Sequence, residues 1–267
     1  GADAVAAILP RDQLTRTGSR GLLWLEPLLE VETPDGRIGF GPLSVTDARR
    51  LAENGFPPDD PTCQGLVDDL PWMKVQRRVI FERCGLIDPL DLDAFETRGG
   101  LVGLRTALAR SSSDIIGTVT RSGLRGRGGA GFPAGIKWKT AAEADADQKY
   151  ICCNADEGDS GTFADRMLME GDPGQLIAGM VIAGLAVGAT KGFIYCRSEY
   201  PHAIATLNAA IKAWQARGWL GADILGSGKA FELTLRRGAG SYVCGEESAM
   251  LESLEGKRGQ VRVKPPI

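Results

Sequence analysis

From residue 111 to residue 267, short apolar runs typical of strands alternate with longer patterns typical of helices. In chain order these are helix 113–121, strand 150–153, helix 173–187, strand 192–196, helix 203–217, strand 231–235 and helix 246–254. Such alternation predicts an α/β fold, a Rossmann-like parallel sheet with helices on both faces. Ligands of these sheets lie at the carboxyl ends of the strands, so the loops that follow the strands are the candidate binding loops.

The first 110 residues follow a different pattern. Residues 1–55 combine two strand patterns, 22–32 and 37–40, with a helical pattern over 45–54, which predicts a small α+β domain;. Residues 56–72 are rich in proline and aspartate and predict a linker, and 73–110 are predicted to be helical in pieces;. The expected organisation is therefore a domain over 1–55, a linker and helical segment over 56–110, and a cofactor-binding domain over 111–267.

Bulk composition excludes several classes of protein. The net charge of −3 gives no support for nucleic-acid binding;. The longest apolar run, 176–189, is too short to cross a bilayer;. Six cysteines without C-x-x-C spacing indicate reduced thiols in a cytoplasmic protein;. The single histidine, His202, is expected to be structural, and no metal site is predicted;. The missing initiator Met and the ending Lys-Pro-Pro-Ile suggest a fragment of a longer protein.

The glycine segment, residues 124–138, reads Leu-Arg-Gly-Arg-Gly-Gly-Ala-Gly-Phe-Pro-Ala-Gly-Ile-Lys-Trp. Its glycines leave backbone amides unhindered, and Arg125, Arg127 and Lys137 add positive charge;. Such a loop suits a phosphate or a flat phosphorylated cofactor, and the alternative is a flexible surface loop. The match of 126–131 to the G-x-G-x-x-G fingerprint lacks a clear preceding strand, and Phe-Pro interrupts the helix that should follow;.

The acidic segment, residues 154–162, follows the predicted strand 150–153 and reads Asn-Ala-Asp-Glu-Gly-Asp-Ser-Gly-Thr. Its carboxylates and amide could accept hydrogen bonds from ribityl or ribose hydroxyls, or bind a hard metal ion. The alternative is an acidic cap for a helix that starts near Thr162.

The paired-glutamate segment, residues 236–248, follows the predicted strand 231–235. Its glycine-rich backbone leads into a helix N-terminus, which is a ready anion site. For Glu246 and Glu247 the alternative is a favourable interaction of acids in a first helical turn with the helix dipole.

Together the three segments resemble the FMN-binding NADH dehydrogenase family. That family includes the flavin subunit of respiratory complex I and the diaphorase subunits of soluble NAD-dependent hydrogenases and formate dehydrogenases. The resemblance covers about residues 75–267 and is carried by three ordered motifs: Gly-Leu-Arg-Gly-Arg-Gly-Gly-Ala-Gly-Phe-Pro-Ala-Gly-Ile-Lys-Trp at 123–138, Asn-Ala-Asp-Glu-Gly-Asp-Ser-Gly-Thr-Phe-Ala-Asp-Arg at 154–166 and Tyr-Val-Cys-Gly-Glu-Glu-Ser-Ala-Met-Leu-Glu-Ser-Leu-Glu-Gly at 242–256.

The resemblance implies FMN and NAD as cofactors and assigns roles to individual residues. Contacts with FMN are implied for Gly126, Arg127, Gly128, Lys137, Asn154, Asp156, Glu157, Gly158, Gly245 and Glu246. Contacts with NADH are implied for Phe132, Asp159, Tyr242, Glu247 and Lys264. Phe132 would stack on the adenine, and Glu247 is the implied catalytic residue, shaping the nicotinamide pocket and excluding water. Asp159-Ser160, Thr140 and Ile267 depart from the family pattern near the adenine half of the site.

The resemblance also bears on the rest of the protein. Family members continue into a ubiquitin-like domain and a helical domain that binds an iron–sulfur cluster, so a cluster is expected only there or in a partner subunit. Residues 16–28 resemble part of thioredoxin-like two-iron ferredoxins, but Ser19 and Leu23 replace cysteine ligands, so this thioredoxin-like domain is expected to carry no cluster;.

A thioredoxin-like segment before a flavin domain favours the beta subunit of a soluble NAD-dependent formate dehydrogenase. The expected activity is hydride transfer between NAD(H) and FMN, followed by single-electron transfer to or from iron–sulfur clusters. The alternatives are the diaphorase subunit of a hydrogenase and the flavin subunit of an NADH-quinone oxidoreductase. From other classes, a dehydrogenase without flavin and a non-catalytic assembly subunit stay open.

Overall fold

The computed structural model describes residues 1–263 of the chain and shows two compact units, which meet in sequence at Asp88 and Pro89. Each unit has its own sheet, antiparallel in the first and parallel in the second. Within the described part of the chain, every helix is too short or too polar to cross a membrane.

The first unit is an α+β unit built around a three-stranded antiparallel sheet in the order β1-β2-β3. Its elements are α1 (Ala2–Ala6), β1 (Leu29–Thr33), β2 (Gly36–Phe40), α2 (Val45–Asn54), β3 (Cys63–Leu66) and α3 (Pro71–Lys74). The predicted turn joins β1 to β2, and α2 has the predicted bounds because Ser44 forms a capping box with Asp47 and Gly55 ends the helix at φ +73°;.

Two details of this unit differ from the sequence prediction. Residues 56–88, predicted to be a linker and helical pieces, belong to the first unit, and β3 pairs with β2 inside that stretch. The first strand begins at Leu29 instead of residue 22, because a short 3-10 turn (Leu23–Leu25) precedes it. The predicted α+β class is confirmed, while the thioredoxin likeness stays a prediction.

The second unit is built around a parallel sheet in the order β4-β5-β6. Its elements are α4 (Leu92–Thr97), α5 (Val102–Leu108), α6 (Ser112–Ser122), α7 (Ala134–Glu143), β4 (Tyr150–Ala155), α8 (Ala164–Gly171), α9 (Pro173–Val187), β5 (Lys191–Cys196), α10 (Pro201–Ala216), β6 (Glu232–Arg237) and α11 (Glu247–Leu254). Each strand lies close to its predicted position, and α9 coincides with the predicted helix.

Helices cover both faces of the parallel sheet. Successive strand residues point to opposite faces. Ile151 packs in a cluster with Ala186 and Val187 at the end of α9, whereas Cys152 packs in a cluster with Met250 of α11. The predicted Rossmann-like arrangement is therefore confirmed.

Candidate functional site

The three parallel strands end at one edge of the sheet. Ala155, Cys196 and Arg237, the last residues of β4, β5 and β6, are direct neighbours in the pairing register. The acidic segment leaves this edge after β4, and the paired-glutamate segment leaves it after β6. This is the edge at which parallel sheets bind their ligands.

Two hydrogen bonds join the acidic segment to the paired-glutamate segment. Asn154 Nδ2 donates to the carbonyl oxygen of Gly245 over 2.8 Å, and the Tyr242 hydroxyl donates to Asp159 Oδ1 over 2.7 Å. The Tyr242 ring also lies against Gly158, where an added Cβ would come within 2.7 Å of the ring atom Cδ2. Glycine at position 158 therefore leaves room for this ring in its present position.

The Glu157 carboxylate caps a helix in the structure, and its flavin contact stays a prediction. It is 8% exposed and accepts hydrogen bonds from the backbone amides of Asp165 and Arg166 in the first turn of α8. Its Oε2 also accepts from the Tyr200 hydroxyl over 2.9 Å. First-turn amides lack partners inside a helix, so Glu157 caps α8, as the helix-cap alternative anticipated for this segment.

Glu246 likewise acts as a helix cap. Its Oε2 accepts from the amides of Ser248 and Ala249 at 2.9 Å and from the Ser248 hydroxyl, which fixes the start of α11. Glu247 is the first residue of α11 and is exposed. The favourable-dipole alternative thus accounts for the position of both glutamates at the helix start, and their predicted cofactor contacts stay predictions.

The glycine segment forms a closed loop between α6 and α7. The Gly126 amide donates to the Phe132 carbonyl, and the Ala134 amide donates to the Leu124 carbonyl. Arg125 Nη1 donates to the Gly131 carbonyl over 2.7 Å, so the side chain braces the loop from within. The segment is therefore ordered by its own hydrogen bonds, which argues against the flexible-loop alternative.

The remaining predicted residues lie on the surface. Arg127, Gly128 and Lys137 are exposed, and Phe132 is 42% exposed. Lys264 lies outside the described residues. Among residues 1–263, no three His, Cys, Asp or Glu side chains gather as they would around a metal ion.

Sequence reasoning missed the segment that follows β5, residues 197–200. The structure packs it against the acidic segment: Arg197 Nη1 donates to the Glu157 carbonyl, and Tyr200 reaches the Glu157 carboxylate. The segment has neither a glycine nor an unusual number of acids. Its position after the predicted strand 192–196 was the available signal.

The surroundings of Asp156 disfavour the charged form of its carboxyl. Burial raises the pKa of its carboxyl above the ordinary 3.8; Glu199 adds to the shift, and Arg197 opposes it. A raised pKa means that the folded state loses stability from this group as the pH rises above the ordinary value. Such a cost is typical of a group retained for function.

We therefore expect Asp156→Asn to raise the melting temperature at about pH 7 and to leave it nearly unchanged at about pH 3, where the parent carboxyl is protonated. Thermal unfolding of the parent and of Asp156→Asn at the two pH values measures this difference in melting temperature. Asp147→Asn, at an exposed acid, is the control and should change neither value. A lower melting temperature for Asp156→Asn at neutral pH would contradict the argument.

Comparison with known proteins identifies the family of the region that contains these segments. Residues 119–267, more than half of the chain, match the family described as the Nuo51 FMN-binding domain. The chain belongs to this family. The matched region contains the glycine, acidic and paired-glutamate segments and all three parallel strands.

Two curated relatives show the extent of the similarity. The chain is 50% identical over 194 residues to the NADP-reducing hydrogenase subunit HndC of Solidesulfovibrio fructosivorans, covering 73% of this chain and 39% of the relative. It is 52% identical over 177 residues to an NADH-quinone oxidoreductase subunit of Rhizobium meliloti, covering 66% and 42%. The chain thus spans about two fifths of the length of these relatives.

A solved structure is also similar. It is an NAD+-reducing [NiFe]-hydrogenase in the H2-reduced state, with a TM-score of 0.56 and 35% identity, and the match covers 86% of this chain and 37% of that one. The fold of this chain is therefore similar to part of that structure.

Proposed function

We propose that this chain binds FMN and supports hydride exchange between NAD(H) and the flavin, as a diaphorase unit. The observation that carries the proposal is the pair of hydrogen bonds, Asn154 to Gly245 and Tyr242 to Asp159, that joins two segments of an FMN-binding family at the ligand-binding edge of the sheet.

The glycine segment has the properties that a flavin phosphate requires. A Cβ added at Gly128 or Gly129 would meet no atom within 4 Å, so the backbone there is open to a ligand. Gly129 and Gly131 adopt φ values of +136° and +62°, which favour glycine;. Arg127 and Lys137 supply positive charge at the surface of this loop.

We assign the residues of this chain as follows. Gly126, Arg127, Gly128 and Lys137 would hold the phosphate end of FMN, and Asn154, Asp156, Gly158 and Gly245 would border its ribityl chain and ring. Glu157 and Glu246 would act through the helices that they cap. When bound, FMN accepts a hydride from a nicotinamide and releases electrons one at a time.

The NADH side of the site is assigned to the exposed residues beside the acidic segment. Phe132 offers an aromatic face to the adenine. Tyr242 and Asp159 hold each other across the two segments, and their hydrogen bond raises the pKa of the Tyr242 hydroxyl, which keeps it protonated. Glu247 would exclude water and shape the nicotinamide pocket. Lys264, outside the described residues, is assigned to the same pocket.

The proposal extends to the assembly that the unit serves. The relatives named above are subunits of a hydrogenase and of a quinone oxidoreductase, so we propose that electrons pass to an iron–sulfur protein of a multi-subunit complex. The beta subunit of an NAD-dependent formate dehydrogenase is a further proposal, suggested by the N-terminal unit. Purifying the complex and assaying it with formate, hydrogen and quinone would distinguish the three.

The test of the cofactor proposal is reconstitution. The 267-residue chain is incubated with FMN, freed of excess flavin by gel filtration and mixed with NADH under anaerobic conditions. We expect a yellow protein with one FMN per chain, whose flavin absorbance bleaches on NADH addition. A protein that stays colourless would contradict the proposal and favour the assembly-subunit alternative, and a yellow protein that NADH does not bleach would refute the diaphorase role.

A further inference from the structure

Two side chains of the segment after β5, Arg197 and Tyr200, form hydrogen bonds to the acidic segment. Arg197 Nη1 donates to the backbone carbonyl of Glu157, and its guanidinium carbon lies 4.9 Å from the centre of the Tyr200 ring. Arg197 Nη2 also pairs with Glu199 over 3.2 Å. The guanidinium is thus fixed by three neighbours at once.

Tyr200 contacts the same segment through its side-chain hydroxyl. Its hydroxyl donates to Glu157 Oε2 over 2.9 Å and lies 3.3 Å from the Thr162 carbonyl oxygen. Burial, followed by the hydrogen bond from the hydroxyl to Glu157, raises the pKa of Tyr200 to about 12, so the hydroxyl stays a donor at all ordinary pH values. Glu157 is therefore held at its backbone and at its carboxylate by one neighbouring segment.

This contact fixes the acidic segment at its middle, through Glu157, and at its last residue, Thr162. Glu157 follows Asp156 directly and lies three residues after Asn154, and Thr162 is the last residue of the segment. The Glu157 carboxylate also caps α8, so movement of Glu157 would release the start of that helix. The segment is too polar to be held in place by apolar packing, and hydrogen bonds must do so instead.

We propose that Arg197 and Tyr200 are positioning residues of the flavin site, which set Asn154, Asp156 and Gly158 by holding Glu157. The inference rests on the proposed function. The proposal predicts that losing the hydrogen bonds of Arg197 or Tyr200 to Glu157 weakens FMN binding, although neither residue is assigned a contact with FMN.

The test compares two Tyr→Phe variants of the full 267-residue chain. Tyr200→Phe removes the hydroxyl that reaches Glu157. Tyr195→Phe is the matched control, because Tyr195 is 3% exposed and, although its backbone lies beside Asn154 in the sheet, its hydroxyl pairs with Ser253 of α11 over 2.9 Å. Both variants lose the hydrogen bonds of one partly buried hydroxyl, so a merely structural role predicts similar effects for the two;.

Two measurements are made on each chain. The first is FMN affinity by fluorescence titration, where we expect Tyr200→Phe to weaken binding about 10-fold and Tyr195→Phe to leave it unchanged. The second is amide hydrogen exchange of residues 156–162 without FMN, which we expect to quicken in Tyr200→Phe alone. Arg197→Lys, which keeps the charge and loses the planar fork, should behave like Tyr200→Phe.

The outcomes separate the two proposals. Faster exchange together with weaker FMN binding supports the positioning role. Unchanged exchange in Tyr200→Phe, or equal losses of FMN affinity in both Tyr→Phe variants, would overturn it while the proposed function stands. A parent chain that binds no FMN would overturn the proposed function and this role with it, and the exchange data would then report only on loop stability.

Discussion

Gly135→Ala is expected to destabilise the chain by about 2–3 kcal/mol and to abolish FMN retention on gel filtration. Gly135 is buried in the first turn of α7, where a Cβ would lie 2.3 Å from Thr120 Oγ1 and within 3 Å of the Thr120 Cα and N atoms. Because two of these are backbone atoms of α6, no rotamer change relieves the clash. Helix α7 must move, and Lys137 moves with it.

Helix propensity makes the opposite prediction, which sharpens the test. Alanine is favoured over glycine inside a helix by about 1 kcal/mol. Gly179→Ala in α9 is the matched control, because Gly179 is exposed and an added Cβ there meets no atom within 4 Å. Urea denaturation should show Gly179→Ala stabilised and Gly135→Ala destabilised. Stabilisation in both variants would show that α6 and α7 do not pack as described.

Asn154→Asp is expected to weaken FMN binding about 30-fold, equivalent to ~2 kcal/mol. The substitution keeps the size of the side chain but replaces the Nδ2 donor with a charged oxygen. That oxygen would face the Gly245 carbonyl oxygen at the present 2.8 Å, which is repulsive, so the acidic and paired-glutamate segments would separate;.

Asn208→Asp is the control for this prediction. Asn208 Nδ2 also donates to a backbone carbonyl, that of Ile204 at 2.9 Å, and it does so at an exposed position of α10. Fluorescence titration of FMN should therefore show no change for Asn208→Asp. If Asn154→Asp binds FMN as tightly as the parent, the bond between the two segments has no part in the site.

The secondary structure of the second unit was largely predictable from sequence because its signals are local. Helix α9 has a Pro at its first turn, the Asp172 cap before it and Gly188 in the left-handed conformation after it, so its bounds follow from neighbouring residues;. The sequence does not predict helix α7, because a Phe-Pro pair ordinarily interrupts a helix;. In the structure Pro133 is the N-cap, immediately before the first helical residue, where its missing amide costs nothing;.

The segments of the candidate site and the helix-capping alternative for its acids were predictable from sequence, but the particular partners of those acids were not. Glu157 and Glu246 lie in segments that follow predicted strands, yet Glu157 binds the amide of Asp165, eight residues ahead, and the hydroxyl of Tyr200, 43 residues ahead. Contacts over such separations depend on the packing of β4 beside β5, which no local pattern encodes. Strand β3 is not predictable for a related reason: it has only four residues, and its extended conformation depends on pairing with β2;.

The central claim is that the glycine, acidic and paired-glutamate segments surround one flavin. Hydrogen exchange measured with and without FMN tests it most directly, because it reads the backbone amides of all three segments in one experiment. We predict that saturating FMN slows exchange in residues 126–131, 156–161 and 238–246 together, while exposed amides of α10 exchange as before. Protection confined to one segment, or none in the glycine segment, would contradict the claim.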